Sequence, residues 1–290
     1  TVIGLIHGYW FKITYHRDWL QLNSVGQVNH SALYGAGIAM VAIVLTAVFW
    51  RSATPVLRTL SSLLSLALLG VMFTWGSRGA LLTYLLGVVI FGLHFVRVAK
   101  VRVWPIVLLS VVVASTSLAL NPLIIKKTQD NFSSGDGAGR LMAARTASEI
   151  WRHFPITGVG AANFSQISPE QIDKWLAQRN EQFVYGDYLF SSHAHNVYFN
   201  TLAERGIVGL VALLALMALW TIELVRRRPN ETSGTTHWLC WGAALSGWVV
   251  VFAGGVFNTT LHHEHGMLAM CFLGLLLGSV PGPSPTPPVT

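Results

Sequence analysis

The chain has 290 residues, 52% of them hydrophobic and only 11% charged, with a mean hydropathy of +0.53. Soluble globular domains carry about 25% charged residues, so an ordinary soluble domain is excluded and an all-α integral membrane protein is expected. The net charge of +7 is read as orientation and contact with anionic lipid, not nucleic-acid binding, because neither an RNA or DNA motif nor a soluble basic domain accompanies it. Eleven Trp and seven Tyr suit the aromatic belts of membrane interfaces. Cys240 and Cys271 fall inside apolar runs and read as small buried hydrophobes. The chain opens on Thr1 with no signal-peptide pattern, so an N-terminally truncated fragment is expected.

Residues 1–30 interleave His7, Lys12, His16, Arg17 and Asp18 with Trp10, Phe11 and Trp19, the pattern of a periplasmic or interfacial loop. Charge-free runs follow at 32–50, 59–77, 79–96 and 103–120, then at 206–222, 238–257 and 266–280. A helix needs about 20 apolar residues to cross a ~30 Å hydrocarbon core. The pattern therefore predicts four spans within 31–120 and three within 196–280, the last of them short. Arg51 and Arg58, then Arg97, Lys100 and Arg102, then Arg226, Arg227 and Arg228 fall in alternate short loops. The positive-inside rule makes those loops cytoplasmic. The long loop 121–195 is then outside, which is periplasm in a Gram-negative cell, and the Pro-rich tail 281–290 is a disordered cytoplasmic segment.

Within the long loop, residues 140–153 read as a helix stopped by Phe154-Pro155. Ser168-Pro169-Glu170-Gln171 reads as a capping box opening a helix over 169–180. A third helix is expected from Asn196, broken at Gly206.

Four groups of residues bear on chemistry. Arg78, between two apolar runs, is either a snorkelling interfacial arginine or an anion contact. Arg140 follows the glycine-rich turn Gly135-Asp136-Gly137-Ala138-Gly139; such a turn can offer backbone N–H groups to an anion, and the guanidinium fork matches phosphate oxygens. Arg145 and Arg152 share a helix face, which a solvated surface also explains. His193 and His195 stand where the polar loop meets an apolar helix, and histidine exchanges a proton near neutral pH. Leu261-His262-His263-Glu264-His265 lacks the spacing that closes a tetrahedral metal site; it reads as a polar interfacial loop or a lining of the cavity beside His195. No metal is expected.

Three motifs carry a family resemblance. They are Ser77-Arg78-Gly79-Ala80; Gly139-Arg140-Leu141 with Trp151-Arg152-His153-Phe154-Pro155-Ile156-Thr157-Gly158-Val159-Gly160; and His195-Asn196, nine residues, then Gly206-Ile207-Val208-Gly209. Together they resemble the O-antigen ligase family, which also holds O-antigen polymerases and O-linked oligosaccharyltransferases. The resemblance covers roughly residues 24–280. It implies a polytopic, GT-C-like transmembrane helix bundle of about twelve helices with a large helical periplasmic loop, about five N-terminal helices of which this chain would lack.

The resemblance further implies an inverting glycosyltransferase of lipopolysaccharide biosynthesis in the bacterial inner membrane, acting without cofactor, metal or nucleotide sugar. The donor would be a glycan on undecaprenyl diphosphate and the acceptor a hydroxyl of lipid A–core. His195 would be the general base, and Arg78 and Arg140 the diphosphate-binding residues. Arg145, Asn196, Glu204 and His193 would support them, and Gly206 and Gly209 would allow close helix packing. An O-antigen polymerase, an O-linked protein oligosaccharyltransferase and a membrane transporter remain alternatives. Transport predicts ionisable residues in mid-span, and the runs here are almost free of them.

Overall fold

A computed structural model describes residues 28–74, 77–99, 104–120, 125, 138–261 and 264–279. The readings of 1–27, the 281–290 tail, most of the glycine turn before Arg140, and His262-His263 lie outside the described residues. All regular structure among the described residues is helical. In chain order the helices are α1 (Val28–Ser52), α2 (Pro55–Thr74), α3 (Arg78–Ala99), α4 (Trp104–Leu120), α5 (Ala138–His153), α6 (Pro169–Ala177), α7 (Val197–Arg226), α8 (Thr235–Trp248) and α9 (Glu264–Ser279). Among the described residues, four stretches are long and apolar enough to cross a membrane: Ala32–Arg51, Arg78–Val98, Val197–Arg226 and Thr235–Val256. Pro55–Val71, Leu108–Leu120 and Gly266–Ser279 are shorter apolar helices. The chain is thus an all-α, multi-pass membrane protein.

The chain divides into two compact units. The first takes Thr1–Asn121, Trp220–Val251 and His263–Thr290. Here α1 packs on α2, α3 and α8, α3 on α4, and α8 on α9. Small residues make α1 central. Ala32, Ala36, Ala39, Ala42 and Ala47 are all buried, which lets neighbouring backbones approach closely. Polar side chains then tie helices together where water is absent: the Thr46 hydroxyl donates to the Ser61 carbonyl at 2.8 Å and lies 2.8 Å from Ser65 Oγ. At one end, Arg51 donates to the Ser233 and Glu231 carbonyls, and His94 Nε2 lies 3.1 Å from the Pro229 carbonyl. The ends of α1 and α3 and the α7–α8 loop, with Arg227 and Arg228 in it and Arg226 at the end of α7, therefore gather on one side of this unit.

Burial of both cysteines is not observed. Cys240 is half-buried and Cys271 exposed on α9, because an apolar side chain facing lipid needs no protein cover. The 238–257 run also departs from a single regular helix. After Trp248 the backbone loosens into a π turn at Val249–Ala253 and tightens to 3-10 at Gly254–Val256.

The second unit takes Pro122–Leu219 and Phe252–His262. Ala147 and Ile150 from α5 meet Phe164, Ile167, Ile172, Trp175, Leu176, Ala194 and Ala203 in one buried cluster. The α6 contribution, Ile172, Trp175 and Leu176, follows the i, i+3, i+4 spacing of a single helix face. The capping box forms in full: Ser168 Oγ accepts from the Gln171 N–H, and Gln171 Oε1 accepts from the Ser168 N–H at 2.8 Å. The helix ends at Ala177, short of the expected 180. Asn180 has φ +58; its N–H donates to the Ala177 carbonyl, and the Glu181 N–H reaches back to the Leu176 carbonyl. This is a Schellman cap with asparagine in the left-handed position, so residue 180 terminates the helix instead of extending it.

Candidate functional site

Helix α7 contains the break expected at Gly206, where φ is +61 and ψ −161. An unbroken helix would pair the N–H groups of 207 and 208 with the carbonyls of 203 and 204. The break separates these four groups, and the 155–160 segment takes all of them. Ile207 N–H donates to the Pro155 carbonyl and Val208 N–H to that of Ile156. Val159 N–H donates to the Ala203 carbonyl and Gly160 N–H to that of Glu204, each at 2.9 Å. Buried backbone groups have to be paired, and here each half of the junction satisfies the other. Glycine is required on both sides: a Cβ on Gly206 would lie 2.2 Å from the Ile156 oxygen, and one on Gly158 2.3 Å from the Glu204 carbonyl carbon. The close packing at Gly206 is therefore against a loop backbone, not another helix. Gly209 faces the Arg205 side chain of its own helix.

The start of α7 is fixed with equal economy. Asn196 Oδ1 accepts the N–H groups of Tyr198 and Phe199 at 2.9 and 3.1 Å, the geometry of a helix N-cap. Its amide nitrogen donates to the Val256 carbonyl at 3.0 Å. One turn on, buried Asn200 Oδ1 accepts the Ala194 N–H. Further back, Leu189 donates its N–H to Thr146 Oγ1 on α5.

His195 sits between these anchors with φ +52. A non-glycine residue there costs roughly 1–2 kcal/mol, so its neighbours hold it in place. The imidazole is half-buried. Burial first, and the Arg140 charge second, push its pKa below the usual imidazole value, so the ring is neutral at pH 7 and able to accept a proton. The ring of buried His193 meets it edge-on, centroids 4.3 Å apart, and His193 Nδ1 lies 2.8 Å from Ser192 Oγ. Arg140, in the first turn of α5, is exposed and places its guanidinium carbon 5.7 Å from the centroid of Phe257.

The other polar residues divide by partner. Arg145 is paired with Asp187 at 2.8 Å. Arg152 and Arg179 both bind the buried carboxylate of Glu149. Glu204 is buried, its carboxylate 3.7 Å from Arg205 Nη1, directly beside the glycine junction. Arg78 belongs to the first unit, as the exposed opening residue of α3. The second unit thus brings together Arg140, His193, His195 and Asn196. Among the described residues, no group of three or more His, Cys, Asp or Glu could hold a metal ion.

Two participants had no sequence signal strong enough to single them out. Asn200 looks like an ordinary polar residue of a helix start, and Phe257 is one aromatic among many in an apolar run.

A family model described as O-antigen ligase matches residues 63–214, just over half of the chain, and takes in Arg78, Arg140, His195 and Glu204. No curated protein matches the chain.

Proposed function

The chain belongs to the O-antigen ligase family, and on that premise we propose that it transfers a glycan from undecaprenyl diphosphate to a hydroxyl of lipid A–core at the periplasmic face of the inner membrane. Activity of the glycosyltransferase type follows from the family; donor, acceptor, side of the membrane and residue roles are the proposal. The observation that carries it is the neutral, half-buried His195, pinned between two asparagine-anchored turns with Arg140 as the nearby cation.

His195 takes the proton of the acceptor hydroxyl as its oxygen attacks the anomeric carbon. The bond from that carbon to the diphosphate oxygen breaks on the opposite face, and the anomeric configuration inverts. The electron pair leaves with undecaprenyl diphosphate, whose growing charge Arg140 offsets. Asn196 fixes the helix start on which the base is mounted. Glu204 holds the junction with the 155–160 segment. His193 orients the base through its ring contact. Arg145 acts indirectly, by tying the 185–187 turn to α5 through Asp187.

Expression of the full-length gene in a cell lacking its own ligase tests this reading. Glycan attached to the lipid A–core, and lost with His195→Ala, is the expected result. Restored glycan chain length without attachment would assign the polymerase reaction instead. Attachment that survives His195→Ala would remove His195 as the base.

A further inference from the structure

We infer that Phe257, which lies beyond the 63–214 family match, is a positioning residue for Arg140, and that the Gly254–Leu261 stretch links that arginine to the helix start behind His195. The inference rests on the reading of Arg140 as a diphosphate ligand. The Val256 carbonyl accepts from Asn196, and the Phe252 carbonyl accepts from the Tyr198 hydroxyl at 2.8 Å. Gly255 lies so close to Val197 that a Cβ would stand 2.6 Å from its Cγ1. Phe257 and Asn258 both donate their N–H groups back to the Gly254 carbonyl, which closes a tight turn. Asn258, Thr259 and Thr260 are buried behind it. The turn is therefore fastened at three points to the first turn of α7, the residues that follow His195 directly.

Phe257 projects from this fastened turn to Arg140. A guanidinium within about 6 Å of a ring centroid is attracted by the ring's electron-rich face, and Arg140 meets that condition. A ring on a fastened turn positions a cation through its electron-rich face, which suits an arginine facing a diphosphate. The break in regular helix at Val249–Val256 also gains a reason, since a continuous helix could not form the turn that presents Phe257.

The test is a double-mutant cycle on the purified full-length protein, with sugar-free polyprenyl diphosphate as the binding probe. Phe257→Leu keeps an apolar side chain and removes the ring; Phe257→Tyr keeps the ring. We expect Phe257→Leu to weaken binding about two- to fivefold, the range for an exposed cation–π contact, and to raise the donor KM more than it lowers kcat. Phe257→Tyr restores both, and Phe257→Leu adds nothing once Arg140→Ala is present. Wild-type affinity in Phe257→Leu, or an equal loss with and without Arg140, overturns the inference. Should Arg140→Ala alone bind the probe like wild type, the donor-site reading fails and this inference fails with it, and that single variant identifies the cause.

Discussion

As the proposed base, His195 has to be neutral to take a proton. Burial, and then the Arg140 charge, lower its pKa, which suits that proposed role at neutral pH. The sign of the pH dependence follows. Transfer is expected above the folded-state pKa and lost as pH falls through it, with the acid limb below the usual ~6.5 of imidazole. Arg140→Gln removes the smaller of the two causes, so the acid limb moves upward, and a pH–rate profile of that variant measures the shift. A limb that moves down or stays fixed would dissociate Arg140 from the base. Arg140→Lys tests a separate property. It keeps the charge and loses the planar fork, and strongly reduced transfer is expected, whereas wild-type rates would count against diphosphate recognition.

Short elements hold the residues in place, and each carries a separable cost. Ser168→Ala removes the hydroxyl that caps α6, a loss of about 1 kcal/mol, expected as a lower unfolding temperature with transfer unchanged per folded molecule. Gly206→Ala is predicted to be far more damaging. It introduces both a strained positive φ and a contact with the Ile156 backbone, so the four exchanged hydrogen bonds of the junction cannot all persist. Faster proteolysis near residues 155–160 and loss of transfer together are the expected readout. Helix ends were legible because their chemistry is local: Ser, Pro and Gln at 168, 169 and 171 announce a cap whatever surrounds them. The exact end of α6 was not, since Asn180 serves equally as a last helical residue or as a left-handed stop.

At the scale of the whole molecule, orientation is the property most open to test. Single cysteines placed at Arg228 and at Gln178 in a chain lacking Cys240 and Cys271 should react with a membrane-impermeant reagent from opposite sides. Labelling of both from one side would undo the topology. The multi-pass helical class was settled by composition and run length alone, because a lipid environment admits uninterrupted apolar segments and little else. The motif around His195 was equally legible, since residue types at fixed spacing are properties of the chain. Tertiary structure decided the rest. Only the fold could show that the Pro155–Gly160 motif and the Gly206 motif are two halves of one hydrogen-bonded junction, or that Phe257 meets Arg140. These contacts join residues 44 to 117 positions apart in the chain, and no local propensity records which distant backbone will satisfy a broken helix or which ring will face a cation.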